Sequence, residues 1–162
     1  MSRFDDLCDA LRKMKGELYE YRDFCYSVAT KIFQGLEDYL EPPQGCLSYF
    51  CTMGTYAGKK VPGLSMAMQL GDDAFWEFGI VVDLVEDPGM MPTEPLTYKL
   101  KMKRLGEVVE LRIVEGPTFS FPVNADDFSS VHEFLYQDLH RKVQYALVDF
   151  LATGDPARRI GF

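Results

Sequence analysis

Between residues 4 and 32 the apolar positions alternate steps of three and four without a slip: Phe4, Leu7, Leu11, Met14, Leu18, Tyr21, Cys25, Val28 and Ile32. Such spacing puts them on one face of a helix. Its mean of 3.5 residues is the repeat selected by helix-on-helix seams. The pattern predicts a helix over residues 3–40. Ser2 is placed to cap it, with Asp5 and Asp6 in the first turn, where the helix dipole favours negative charge. Gly16 is its weak point, and Pro42 stops it by disfavouring helical geometry at Glu41.

At 1.5 Å per residue this helix is about 57 Å long. Strands of the lengths read below span roughly 25–40 Å, so the sheet cannot cover all of it. Either the helix breaks at Gly16 and folds back, or it stays whole and one half meets a partner. A second stripe, Tyr19, Tyr26, Phe33 and Leu40, widens the apolar face in the C-terminal half alone. The expectation is that residues 18–40 cover the sheet. Phe4, Leu7, Leu11 and Met14 would then meet a second copy in a two-fold homodimer. The helix near the C-terminus is the other possible partner.

The middle of the chain reads as five or six antiparallel strands. They are 46–53, 64–70 with Leu64, Met66, Met68 and Leu70 on one face, 75–86, 96–105, 108–115 and a short 118–123. In 75–86, Trp76, Phe78, Ile80 and Val82 point inward, and Glu77, Val81 and Asp83 outward. Gly106-Glu107 fits a two-residue type II′ turn, which pairs Leu105 with Val108 and Lys103 with Glu110. A second helix is read over 124–154, with Asp126, Asp127 or Ser129 as cap and Phe128, Val131, Leu135, Leu139, Val143, Ala146 and Phe150 as its stripe. The fold class is therefore α+β, a single domain over 1–162 with both helices covering one sheet face.

With 47% hydrophobic residues the chain can bury a core, and its net charge of −8 repels phosphate backbones and anionic membranes. Neither nucleic acid nor membrane is expected as a partner. No apolar run nears the ~20 residues of a membrane helix, and "MSRFDD" turns acidic too early for a leader. Cys8, Cys25, Cys46 and Cys51 form no C-x-x-C pair and read as reduced thiols of a cytoplasmic protein.

Signs of catalysis are few. "GLSMA" (63–67) lacks the strand-to-helix elbow that a G-x-S-x-G serine needs. His132 and His140 are eight residues apart on one helix, too far to share an ion, so no metal is expected. Phosphate and dinucleotide loops are absent, and no cofactor is expected. The basic stripe "KLKMKR" (99–104) with Arg112 shows no interleaved aromatic residue, and pairing of Asp83 with Lys99 would neutralise part of it.

Three readings of function follow. The leading one is a non-enzymatic interaction or adaptor protein. The alternative is a module binding a small apolar ligand between helices and sheet, lined by Trp76, Phe78, Met66, Met68, Tyr98 and Met102. Arg104 would stack near Trp76 and Phe78. A third is a small enzyme using Glu86, Glu115, Tyr98 or His132 as acid–base groups. The loop pair Met90-Met91 is a further candidate for an adaptable contact.

Overall fold

The computed structural model describes residues 2–86, 95–146 and 151–152. Helix α1 runs unbroken over Arg3–Leu40, so Gly16 does not turn the chain back. Ser2 and Asp5 close a reciprocal capping box, the Ser2 hydroxyl accepting from the Asp5 N–H at 3.1 Å and Asp5 Oδ2 accepting from the Ser2 N–H at 2.9 Å. At the other end Glu41 takes the left-handed conformation, with φ at 49°, ahead of the two prolines.

The sheet is formed by β1 (Leu47–Phe50), β2 (Lys60–Val61), β3 (Gln69–Leu70), β4 (Trp76–Val82), β5 (Leu96–Leu105), β6 (Val108–Ile113) and β7 (Thr118–Pro122). Its order is β2-β1-β4-β5-β6-β7, all antiparallel, with β3 pairing β4 beyond the end of β1. The hairpin register is the one the Gly106-Glu107 turn implies, with Leu105 opposite Val108 and Lys103 opposite Glu110. Gly106 has φ at 63° and Glu107 keeps φ negative, as a type II′ turn requires.

Three readings of the middle segment need correction. Residues 64–67 are not strand but a single helical turn, α2 (Leu64–Ala67), closed by Met68 N–H donating to the Leu64 carbonyl at 2.8 Å. Leu64, Ala67 and Met68 are buried at helical spacing, while Met66 and Leu70 are exposed. Val81 and Asp83 are buried rather than wet. On the same outward parity the Phe50 ring lies against Gly79, where any Cβ would overlap it. Asp83 pairs with Lys60 of β2, not Lys99, because β4 and β5 are in a register that sets Gly79 opposite Lys99.

Helix α3 spans Ser129–Gln144. It starts later than the sequence suggests because Asp127 folds its carboxylate onto the Ser129 N–H at 2.9 Å, making a turn of 127–129. Phe150 and the expected helix end at Gly154 and Pro156 lie outside the described residues, as does Met90-Met91. The two helices cross on the inner sheet face. α1 lays Phe33 on Tyr49 of β1 at 4.0 Å between ring centroids, and α3 lays Phe128 on Phe121 and Phe134 on Phe119 of β7. At their crossing the His132 ring sits on Gly35, and its Nε2 is 2.9 Å from the Ile32 carbonyl oxygen. Lys31 to Asp126 at 2.7 Å and Tyr39 to Glu133 flank the crossing.

Candidate functional site

The N-terminal half of α1 carries an exposed apolar stripe. Its contact with the body begins at Tyr21, whose hydroxyl donates to the Ala74 carbonyl at 3.0 Å and whose ring lies 6.4 Å from Trp76. Cys25, Val28, Ala29, Ile32 and Leu36 then enter the core. No residue from 2 to 20 is buried. This arm carries Phe4 at 71% exposure, Leu7 at 68%, Met14 at 51%, Leu11 at 48% and Leu18 at 41%. The stripe is one strip along one face, because its 3-4 spacing is carried by unbroken helix. It exposes roughly 500 Å² of apolar side chain, within the size range of the largest patch on an ordinary monomer, a patch that is often functional.

The second feature, a concave one, is a cleft of about 720 Å³ at the other end of α1. The helix end at Leu40, the Pro42-Pro43 turn, Cys46, the β4 exit at Leu84, and Leu139 and Val143 of α3 line it. Glu41, Cys46, Asp83, Tyr136 and His140 are its titratable members. The volume falls within the range of small-ligand sites.

The residues proposed from sequence as a cavity lining do not surround this cleft. Trp76, Phe78, Met68, Tyr98 and Met102 belong to one packed core, with Phe78 and Met102 at zero exposure, and Met66 faces outward on α2. The Trp76 Nε1 is buried without a hydrogen-bond partner. Arg104 is exposed at the end of β5 and stacks its guanidinium 4.9 Å from the Phe24 ring of α1, not on Trp76. Glu86 and Glu115 are both exposed, and Glu115 sits in a left-handed turn with φ at 65°. His132 is a packing residue of the helix crossing.

Tyr98 finds its partner on α3 instead. Its hydroxyl donates to Asp138 Oδ2 at 2.7 Å, Arg141 and Lys142 hold the same carboxylate at 2.8 and 2.9 Å, and Lys142 lies over the Tyr98 ring. Glu115 joins Asp138 and Arg141 around a shallow groove of about 450 Å³. Burial and the adjacent carboxylate push the Tyr98 hydroxyl far above its ordinary range. Burial alone would raise Asp138, but the hydrogen bonds from Arg141, Lys142 and Tyr98 outweigh it and hold the carboxyl below its ordinary value. Both groups are thus moved away from neutrality, the opposite of what acid–base catalysis selects. Asp138 was legible in sequence only as one more helix carboxylate.

A folded-state value below the unfolded one makes Asp138 stabilising above about pH 4, a contribution lost as pH falls through the folded value. Tyr98→Phe should cost about 1–2 kcal/mol at pH 7. The gap to wild type in denaturant midpoint should hold above about pH 4 and narrow as pH falls below it through the folded value of Asp138. A gap independent of pH would refute the coupling.

The outer sheet face does contain an aromatic residue, contrary to the sequence reading. Phe75 lies beneath Lys101, Lys103 and Arg112 at 5.3, 5.5 and 4.5 Å from its ring centroid. It is 5% exposed, so it offers no stacking platform. Lys101 is paired with Asp73 and Glu77, and Arg112 with Glu110. Among the described residues no cluster of histidine, cysteine and carboxylate side chains is placed to hold a metal ion, and no helix is long and apolar enough to cross a membrane. The four cysteines carry free thiols.

Set against known protein families, curated proteins and solved structures, the chain matches none of them.

Proposed function

We propose that this protein is a non-enzymatic interaction protein that works as a homodimer, joined through the N-terminal arm of α1. The observation that carries the reading is the exposed stripe of Phe4, Leu7, Leu11, Met14 and Leu18 on a helix that outruns its own sheet. An arm of this length has little intrinsic stability in water without tertiary contacts. Gly16 weakens it further, by about 1 kcal/mol relative to alanine. The capping box and the anchored C-terminal half favour its helical state, and a partner covering the stripe supplies the rest. A Leu7→Asp/Leu11→Asp variant tests this: the full chain dimerises and the variant is a monomer.

The cleft supports a second reading, in which the same protein binds a small apolar ligand or an apolar side chain of a partner. Its lining is dominated by Leu40, Pro42, Pro43, Leu84, Leu139 and Val143. An apolar fluorescent probe should bind wild type and lose at least tenfold in affinity with Val143→Asp, a change at a half-exposed lining position that leaves the core intact. Equal binding by both proteins would remove this reading.

A further inference from the structure

We infer that the free edge of β7 is a docking site for an extended segment of a partner protein, which adds antiparallel to the sheet as an eighth strand. This surface goes beyond the dimer reading, because it shares no residue with the arm.

β7 ends the strand order, and its register to β6 shows which of its backbone groups are left over. At the two ends of the ladder, Ile113 N–H donates to the Pro117 carbonyl at 3.1 Å and Val123 N–H to the Glu107 carbonyl at 3.0 Å. An antiparallel ladder uses every second residue of a strand. Pro117, Phe119, Phe121 and Val123 therefore turn their backbone groups to β6. Thr118, Ser120 and Pro122 turn theirs to the free side, and all three are exposed. The proline fits this assignment, because its missing N–H faces away from β6, the side on which a strand tolerates it. Its carbonyl accepts from the Ala125 N–H at 3.0 Å. Among the described residues, Thr118 and Ser120 are left with an N–H and a carbonyl each, at strand spacing. A strand matches that template, and a helix or a small apolar ligand does not.

Side chains set what the added strand carries. The inner face beside the edge is aromatic. Phe119 and Phe121 stack at 6.3 Å between centroids, and Phe134 of α3 meets Phe119 edge-on at 6.2 Å. All three are only half-buried in the single chain. Apolar side chains at alternate positions of an added strand would continue this row. On the outer face Thr118 and Ser120 suit small polar neighbours, and Arg112, opposite Thr118, is already paired with Glu110. From Pro117 to Ala125 no residue is charged, although edge strands are ordinarily guarded by charge. Carboxylates stand at the ends instead, Glu115 before β7 and Glu107 beside Val123, both exposed. The partner segment is accordingly a short alternation of apolar and hydroxyl residues with lysine or arginine on both sides.

A fluorescently labelled peptide, KKVTVTVKK, tests this, its threonines set to lie opposite Thr118 and Ser120. It should bind the wild type, and bind the Leu7→Asp/Leu11→Asp variant equally well, so failure here and failure of the dimer reading are separable. Ser120→Pro removes one outward N–H and leaves the β6 ladder whole, and should weaken binding roughly tenfold, the worth of one backbone hydrogen bond. In an antiparallel pair the threonines carry the hydrogen bonds and the valines turn theirs away. N-methylation of both threonines should therefore abolish binding, and N-methylation of the valines should leave it within about twofold. These two peptides decide the matter even if Ser120→Pro does not fold. No binding of the parent peptide, or equal binding of the two methylated forms, overturns the site. Loss on methylating the valines alone overturns the antiparallel addition. Self-association of the Leu7→Asp/Leu11→Asp variant that the parent peptide reverses would put a second copy on the edge and overturn the partner segment.

Discussion

Replacing Gly35 with alanine should lower the thermal midpoint by roughly 4–10 °C, the equivalent of about 1–3 kcal/mol in a domain of this size. On helix propensity alone the change would stabilise by up to about 1 kcal/mol, because glycine is the poorer helix former. Packing reverses the sign. A Cβ at Gly35 would lie 2.8 Å from His132 Nε2 and closer still to Cε1, so the ring, buried and held at the Ile32 carbonyl, must shift. His132 is buried between α1 and α3, with Nε2 on the Ile32 carbonyl. The alanine therefore prises the two helices apart where Ile32, Leu36, Val131 and Leu135 meet at zero exposure. A double-mutant cycle with His132→Ala isolates the effect. The double variant should be less destabilised than the sum of the singles by more than about 1 kcal/mol, since the methyl group then occupies space the ring has left. A Gly35→Ala protein as stable as wild type would mean that the helices are not in contact there.

Introducing aspartate at Leu7 and Leu11 should raise the dimer dissociation constant roughly 100-fold or more, about 3 kcal/mol of association free energy. Both side chains are exposed in the single chain, at 68% and 48%, so the variant keeps its core. In a dimer built on this stripe both positions of both copies lie in the seam, and four carboxylates would enter an apolar contact. Circular dichroism should report a small loss of helix signal from the arm and an unchanged cooperative melt of the sheet domain. Measured at a concentration where wild type is monomeric, the melts should coincide. Loss of the folded domain together with the dimer would show that residues 7 and 11 pack within their own chain.

Much of this architecture is legible in sequence because single periodicities dominate it. The 3-4 stripe of α1 names the helix, and its narrowing before residue 18 marks the point where the body ends. The Gly106-Glu107 turn fixes a register that the structure reproduces residue for residue. Where the reading missed, longer-range contacts had overridden a local pattern. The alternation of residues 64–70 is equally consistent with burial at positions 64, 67 and 68, the spacing α2 uses. Asp83 looked like an outer-face charge because nothing local shows that the short edge strand β2 brings Lys60 to it. Tyr98 reads beside Glu86 and Glu115 as an acid–base candidate, yet its hydroxyl reaches across to Asp138, 40 residues away on α3. The cleft was not legible at all. It forms where α1, β4 and α3 end near one another, and an arrangement of chain ends leaves no periodic trace.

Sedimentation velocity of the full chain across a wide dilution series, beside the Leu7→Asp/Leu11→Asp variant, tests the central claim most directly. The predicted result is an elongated dimer for wild type that gives way to monomer on dilution, and a monomer for the variant throughout. A wild-type chain that sediments as a monomer at every concentration would contradict the account, and the stripe on the arm would then need another partner.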